Sequence, residues 1–222
     1  RDADKLIEQG KVLVNGQVAG MGQQVEETDT VQVGKKILQG KQTQKVLAFY
    51  KPVGVTCTER DPHAEKKIMD MIRYPERLTY AGRLDKDSEG LILLTNDGDL
   101  INVMMRGANR HEKEYIVKTD REITPDFLEK MAKGIYLKDL DITTRECEIE
   151  QIGKFTFRIV LTQGVNRQIR RMCEACGYRV KALKRIRIMN ILLGDLKPGK
   201  WREVTGEELE QLQRDTGMLN RN

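Results

Sequence analysis

A chain of 222 residues, 39% hydrophobic and 33% charged, can bury a substantial core and has the composition of a soluble globular protein. Its apolar runs are only a few residues long, which excludes a transmembrane helix, and no secretory signal is present. The net charge of +5 hides an asymmetry: Lys154 to Arg202 carries thirteen Lys/Arg against two Asp/Glu, so the rest of the chain is net −6. A basic excess this local, interleaved with apolar positions, predicts a footprint for a polyanion, with nucleic acid ahead of a membrane surface.

The first forty residues read as a small unit. "RDADKLIEQG" predicts a short helix, Lys11–Val14 a strand, and Asn15-Gly16 a tight hairpin turn, with a further strand in "TDTVQVGKKI". The polar run 38–45 has no periodicity and reads as a linker, which sets the boundary at 41–45. The chain begins at Arg1 rather than Met, so a preceding piece is expected in the natural protein.

From Val46 onward strands and helices alternate irregularly. "VLAFYKPVG" is a strand halted by Pro52 and Gly54, "GLILLTNDG" a strand closed at Asp97-Gly98, and "DLINVMMRG" a helix. "EKEYIVKT" predicts a strand. "TPDFLEKMAKG" predicts a helix with Thr124 as N-cap, Pro125 in its first position and Gly134 beyond its end. "KFTFRIVLTQG" is an alternating strand feeding the helix "NRQIRRMCEACG". This order predicts an α+β fold with a mixed, largely antiparallel sheet.

Cysteine usage is uninformative for metals. Cys57 and Cys147 are isolated, and Cys173 and Cys176 could be a redox pair or half a zinc site. His63 and His111 lie far from them without ligand spacing, so two small half-buried cysteines on a helix is the better reading. Four thiols without a disulfide framework point to the cytoplasm.

The stretch "GRLDKDSEG" (82–90) sets Asp85 and Asp87 between two glycines ahead of the apolar run Leu91–Leu94. On spacing alone Asp-x-Asp is a metal pair, a general acid/base couple or a solvated turn, and the last is the commonest. Lys86 and Glu89 mix the local charge, which is unlike a dedicated magnesium site. On pattern alone Tyr115 is a core tyrosine facing away from Glu114 and Ile116, and Arg170 is one phosphate contact among many.

Four segments, "KPVGVTCT", "GRLDKDSEGLILLTNDGDL", "HEKEYIV" and "QGVNRQIRRMCEACGY", occur in the order found in bacterial ribosomal RNA pseudouridine synthases of the small-subunit-synthase type, and the resemblance runs from about Leu47 to Glu203. "DADKLIEQGKVLVNG" resembles the S4 RNA-binding domain that precedes the catalytic domain in that family, without its opening helix. "GANRHEKEYIV" with "KRIRIMN" is similar to the type-F, large-subunit rRNA branch.

The resemblance implies an S4-like domain over 1–40, a linker at 41–45, and a pseudouridine synthase domain with a central cleft over 46–222. It also implies isomerisation of a uridine within rRNA, most naturally 23S rRNA: the C1′–N1 bond breaks, the uracil turns, and C1′ rejoins C5. Asp85 matches the catalytic aspartate, acting by attack on C1′ or by forming a glycal. Tyr115 matches the active-site tyrosine, and Arg170 the cation that accompanies the aspartate. A buried carboxylate requires such a cation. Asp87 has no matching role and reads as a turn residue or N-terminal helper.

Arg83, Arg167, Arg171, Arg179, Lys181, Lys184 and His111 are the expected RNA contacts. No cofactor or metal is implied, and neither phosphate-loop nor dinucleotide fingerprint occurs. The protein is expected to be a cytoplasmic monomer acting on rRNA, a ribosomal precursor or tRNA, with no membrane partner. Two rivals remain on sequence: a non-catalytic rRNA-binding protein, and a metal-dependent RNA hydrolase using Asp85 and Asp87.

Overall fold

The computed structural model describes residues 2–26, 29–38, 43–58 and 66–219. The chain divides into two compact units, Arg1–Gln44 and Lys45–Asn222. His63 and residues 39–42 of the expected linker region lie outside the described residues.

The first unit holds α1 (Asp2–Glu8) and a four-stranded sheet of β1 (Val12–Val14), β2 (Gln17–Val18), β3 (Val31–Val33) and β4 (Lys36–Leu38), in the order β2-β1-β3-β4. Asn15 (φ 50°) and Gly16 (φ 81°) make the β1–β2 turn with positive φ at both positions, as the Asn-Gly pair predicts. "TDTVQVGKKI" is not one strand but contributes to two, because Gly34 (φ 59°) reverses the chain.

In the second unit the chain order is β5 (Val46–Lys51), β6 (Thr79–Tyr80), β7 (Glu89–Thr95), α2 (Gly98–Met105), β8 (Lys113–Thr119) and α3 (Pro125–Ala132). There follow β9 (Tyr136–Leu137), β10 (Ile142–Thr143), β11 (Glu148–Gly153), β12 (Thr156–Leu161) and α4 (Gln168–Ala175). The chain then runs through β13 (Val180–Ile188), β14 (Ile191–Leu192), β15 (Trp201–Glu203) and α5 (Gly206–Asp215). A nine-stranded sheet runs β11-β12-β8-β13-β7-β5-β15, with β14 on β13 and β6 on β7. Among the described strands of this sheet only β13 and β7 pair in parallel, so the expected mixed, largely antiparallel α+β architecture is present.

The apolar run of β7 is buried on both faces. Leu91 and Leu93 join Leu100 and Leu212 of α2 and α5, while Ile92 and Leu94 join Phe49 and Ile68. Each such leucine or isoleucine contributes roughly 1.5–3 kcal/mol by leaving water. That packing anchors the loop ahead of the strand. Gly90 (φ 111°) is required as well, because a Cβ there would overlap the Arg185 carbonyl across the parallel β7–β13 pair.

A bulge in β13 decides which charges face where. Tyr115 pairs with Arg185 and Glu114 with Arg187, so one step along β8 matches two along β13. Residues two apart on a regular strand share a face; here the bulge sends Arg185 and Arg187 to opposite faces.

Candidate active site

The loop from Ala81 to Ser88 is braced from three sides. Gly82 (φ 94°) turns its entry, and the Ser88 N–H donates to the Asp85 carbonyl at 3.1 Å. The Gly54 N–H donates to the Lys86 carbonyl at 2.7 Å, tying the Lys-Pro-Val-Gly turn to the loop. Inside that turn Lys51 is fully buried, with its ammonium donating to the carbonyls of Pro52 (2.9 Å) and Val55 (2.8 Å). Burial pulls the Lys51 pKa down to about 8, against the pull of Cys57, Asp85 and Asp87.

Asp85 and Asp87 have different surroundings. Asp87 takes a two-pronged contact from Arg167, at 3.1 and 2.9 Å. Arg170, only 9% exposed, donates to the Asp87 carbonyl (2.9 Å) and to Ser88 Oγ (3.2 Å), and lies 3.3 Å from the Asp87 carboxylate. The Arg167 hydrogen bonds hold the Asp87 carboxyl below its usual range, outweighing the opposing effect of burial. Asp85 keeps 35% of its side chain exposed, and its one ion pair among the described residues is to Arg167 Nη1 at 3.6 Å.

Two expectations are corrected by this geometry. Arg170 lies 3.3 Å from the Asp87 carboxylate and makes no ion pair with Asp85 among the described residues, although both line one cavity. Asp87 is therefore more than a turn residue: its carboxylate gathers two guanidiniums. Nor do the aspartates form a paired-carboxylate site, since Arg167 lies between them; among the described residues no three metal-ligating side chains lie together.

A cavity of about 680 Å³ opens beside Asp85, lined also by Arg83, His111, Lys113, Tyr115, Arg167, Arg170 and Arg185. Tyr115 is 9% exposed and belongs both to this wall and to the core around Phe157 and Met172. The core reading of that tyrosine is met, and the same residue lines the cavity that Asp85 borders. His111 is half-buried and its Nε2 has no partner among the described residues; burial, then Lys113, lowers its pKa.

Arg179, Lys181 and Lys184 do not line the cavity. Arg179 and Lys181 are exposed, and the Lys184 ammonium sits 5.1 Å from the Tyr50 ring centroid. Arg171 is engaged by the Asp139 carboxylate and the Asn166 carbonyl. Much of the basic excess after Lys154 is neutralised in three dimensions. Arg158 and Arg187 share Glu114, and Arg202 is chelated by Glu208.

Sequence reasoning passed over Lys51, Lys113 and Arg185. Lys113 lies two residues from Tyr115 on the same face of β8, and its ammonium donates to the His111 carbonyl at 3.3 Å. Burial, reinforced by Arg185, pulls its pKa down to about 8. The available signal was the alternation of Lys113 with Tyr115. For Lys51 it was a lysine closing an otherwise apolar strand.

Comparison with known proteins agrees with this architecture. The family model for RNA pseudouridylate synthase matches residues 45–175, and that for the S4 domain matches residues 1–31. The dual-specificity RNA pseudouridine synthase RluF of Escherichia coli K12 is 44% identical over 214 residues, spanning 96% of this chain and 73% of that protein. An uncharacterized RNA pseudouridine synthase of Aquifex aeolicus is 34% identical over 96% of this chain and 90% of its own. The ribosomal large subunit pseudouridine synthase B of Vibrio cholerae is 33% identical over 96% and 69%. A crystal structure of a pseudouridylate synthase superposes with TM-score 0.72 at 27% identity, over 95% of this chain and 92% of that one. With its S4 domain and its synthase fold, the chain belongs to the RNA pseudouridine synthase family and is of the RluF type.

Proposed function

We propose that this protein isomerises a uridine of large-subunit ribosomal RNA to pseudouridine, with Asp85 as the group that acts at C1′. The observation that carries the proposal is the division between the two aspartates. Asp87 holds the arginines, which leaves the Asp85 carboxylate at the cavity wall with Arg167, at 3.6 Å, as its one ion pair among the described residues. A carboxylate so placed is able to attack C1′ or to take the 2′ proton. Tyr115 supplies a ring on which a uracil drawn out of its stack can rest. Arg167 is the counter-ion of Asp85, and Arg170 secures the loop through Asp87 and Ser88.

Residues 1–40, joined by a linker at 41–45 to the catalytic domain 46–222, add RNA grip in this proposal. Arg83, Arg179, Lys181 and Lys184 meet phosphates, which position RNA without reading its sequence. The relative named as a ribosomal large subunit synthase supports rRNA as substrate, and the dual-specificity name of another gives reason to test a second RNA, for which tRNA is the choice here. Carbodiimide mapping of pseudouridine in 23S rRNA and tRNA from a strain lacking the gene tests the assignment. One missing large-subunit site, restored by the wild type and not by Asp85→Asn, is expected. An unchanged large-subunit map would refute it.

A further inference from the structure

Arg185 is 3% exposed and projects from the middle of the sheet into the cavity wall. Its Nε donates to the Leu91 carbonyl at 2.6 Å and its Nη1 to the Arg83 carbonyl at 3.4 Å, so one guanidinium clamps both ends of the Asp85 loop. The remaining nitrogen, Nη2, is buried and has no partner among the described residues. A buried N–H that binds nothing is costly, so its persistence at a cavity points to an acceptor that arrives with a ligand. Lys113 stands beside it on the Tyr115 side of the same wall, held by one long contact to a carbonyl, and no acid among the described residues is ion-paired to either cation.

We infer that Arg185 Nη2 and Lys113 Nζ form a subsite for the negative charge on the detached uracil. This rests on the isomerisation proposed above. When C1′–N1 breaks, the electron pair leaves with the base and spreads over its ring nitrogens and carbonyl oxygens. C1′ is taken up by the Asp85 carboxylate, or the 2′ proton passes to it. When C5 joins C1′ it supplies the pair for the new bond, while the C1′–carboxylate bond breaks and its pair returns to Asp85 (or, on the glycal route, the proton returns to C2′). The C5 proton is then lost to solvent and N1 takes one up. Between those events a uracilate anion must be held and allowed to turn. Two cations on the Tyr115 wall, opposite in charge to the base, provide for that. Fixed donors aimed at a charge that develops during reaction, in a site sheltered from water, are the strongest form of such help. Lys113 is then a catalytic residue in the strict sense. Arg185 both touches the base and positions the loop.

The test uses a stem-loop transcript containing the uridine that the wild type modifies, and the same transcript made with 5-fluorouridine. Fluorine stabilises the detached base as an anion, so the reaction leans less on the protein's cations. Under single turnover, Lys113→Met should slow loss of the starting nucleoside about 10²-fold on uridine. On 5-fluorouridine the deficit should shrink to under about tenfold. RNA affinity should stay within about threefold, since phosphate contacts elsewhere carry it. The unfolding temperature at pH 7 should be no lower than that of the wild type, because a buried charge without an acid partner has been removed. Lys113→Gln, which keeps a polar group, should repeat the pattern if the methionine variant folds poorly, and Lys113→Arg should recover part of the rate. Equal deficits on both nucleosides, or a loss confined to affinity, would overturn the inference. If the wild type binds the RNA but leaves uridine unchanged, the isomerisation proposal has failed. If the wild type is active, Asp85→Asn is not, and the Lys113 variants are indifferent to fluorine, only the subsite has failed.

Discussion

The two faces of the β8–β13 strand pair carry similar residues in opposite states. On the outer face Glu114, Arg158 and Arg187 answer one another: Glu114 lies 2.6 Å from Arg187 and 3.2 Å from Arg158, and Glu112 lies 3.0 Å from Arg187. On the cavity face Lys113 and Arg185 flank Tyr115 without a carboxylate paired to either among the described residues. Arg185 and Arg187 are two residues apart, and the bulge between them separates a cation kept for ligand from one consumed by the fold. Cationic composition therefore says little about function until the partner of each cation is known.

Among variants other than at Asp85, breaking the arginine network around Asp87 should have the largest effect. Asp87→Asn removes the charge that gathers Arg167 and Arg170, and loss of loop placement should slow single-turnover isomerisation by up to about 10²-fold with RNA affinity nearly unchanged. An unaffected rate would return Asp87 to the role of a solvated turn. Arg170→Met should slow the reaction less, about tenfold, because Arg167 still holds the carboxylate. Its pH–rate profile and a double variant test the pairing. With Asp87 as its partner, the profile keeps its shape at a lower rate, and Arg170→Met adds little further loss in an Asp87→Asn background; full additivity of the two changes would show that Arg170 acts elsewhere.

Glu114→Gln should have the smallest effect on activity, within about twofold, while leaving Arg187 and Arg158 short of a partner at a destabilisation of about 1–3 kcal/mol. Burial raises the Glu114 pKa, but its hydrogen bonds to Arg187 and Arg158 win and the carboxyl sits below its ordinary value. Its stabilising contribution is thus complete above the unfolded value of about 4.3 and fades as pH falls through the lower folded value. Unfolding temperatures of wild type and Glu114→Gln should accordingly differ at pH 7 and converge in acid. A difference that persists at pH 2 would show that charge is not its source.

Much of the scaffold was legible because apolar alternation and turn residues agree. β5, β7, β8 and β12, the Asn15-Gly16 hairpin, and the Thr124-Pro125 start of α3 all follow from local chemistry. β13 was not, since Lys181, Lys184, Arg185 and Arg187 fill four of its nine positions and mask a buried central strand as a basic surface. Asp85 and Tyr115 stood out through their motifs, and the structure brings both to one cavity. Arg185 and Lys113 did not, because burial and a bulge, both products of long-range pairing, decide where they point. The same holds for the charge excess after Lys154: its acids come from β8, β11 and α5, far off in sequence or beyond the counted segment.

The central claim is that Asp85, and not Asp87 or a metal, drives isomerisation of uridine in RNA. The most direct measurement is tritium release from 23S rRNA labelled at C5 of uridine, run in EDTA with strand integrity followed on a gel. The wild type should release tritium from intact RNA, Asp87→Asn should release it slowly, and Asp85→Asn should bind the RNA equally well and release none. Release by Asp85→Asn at the wild-type rate, or strand breaks that EDTA abolishes, would contradict the account.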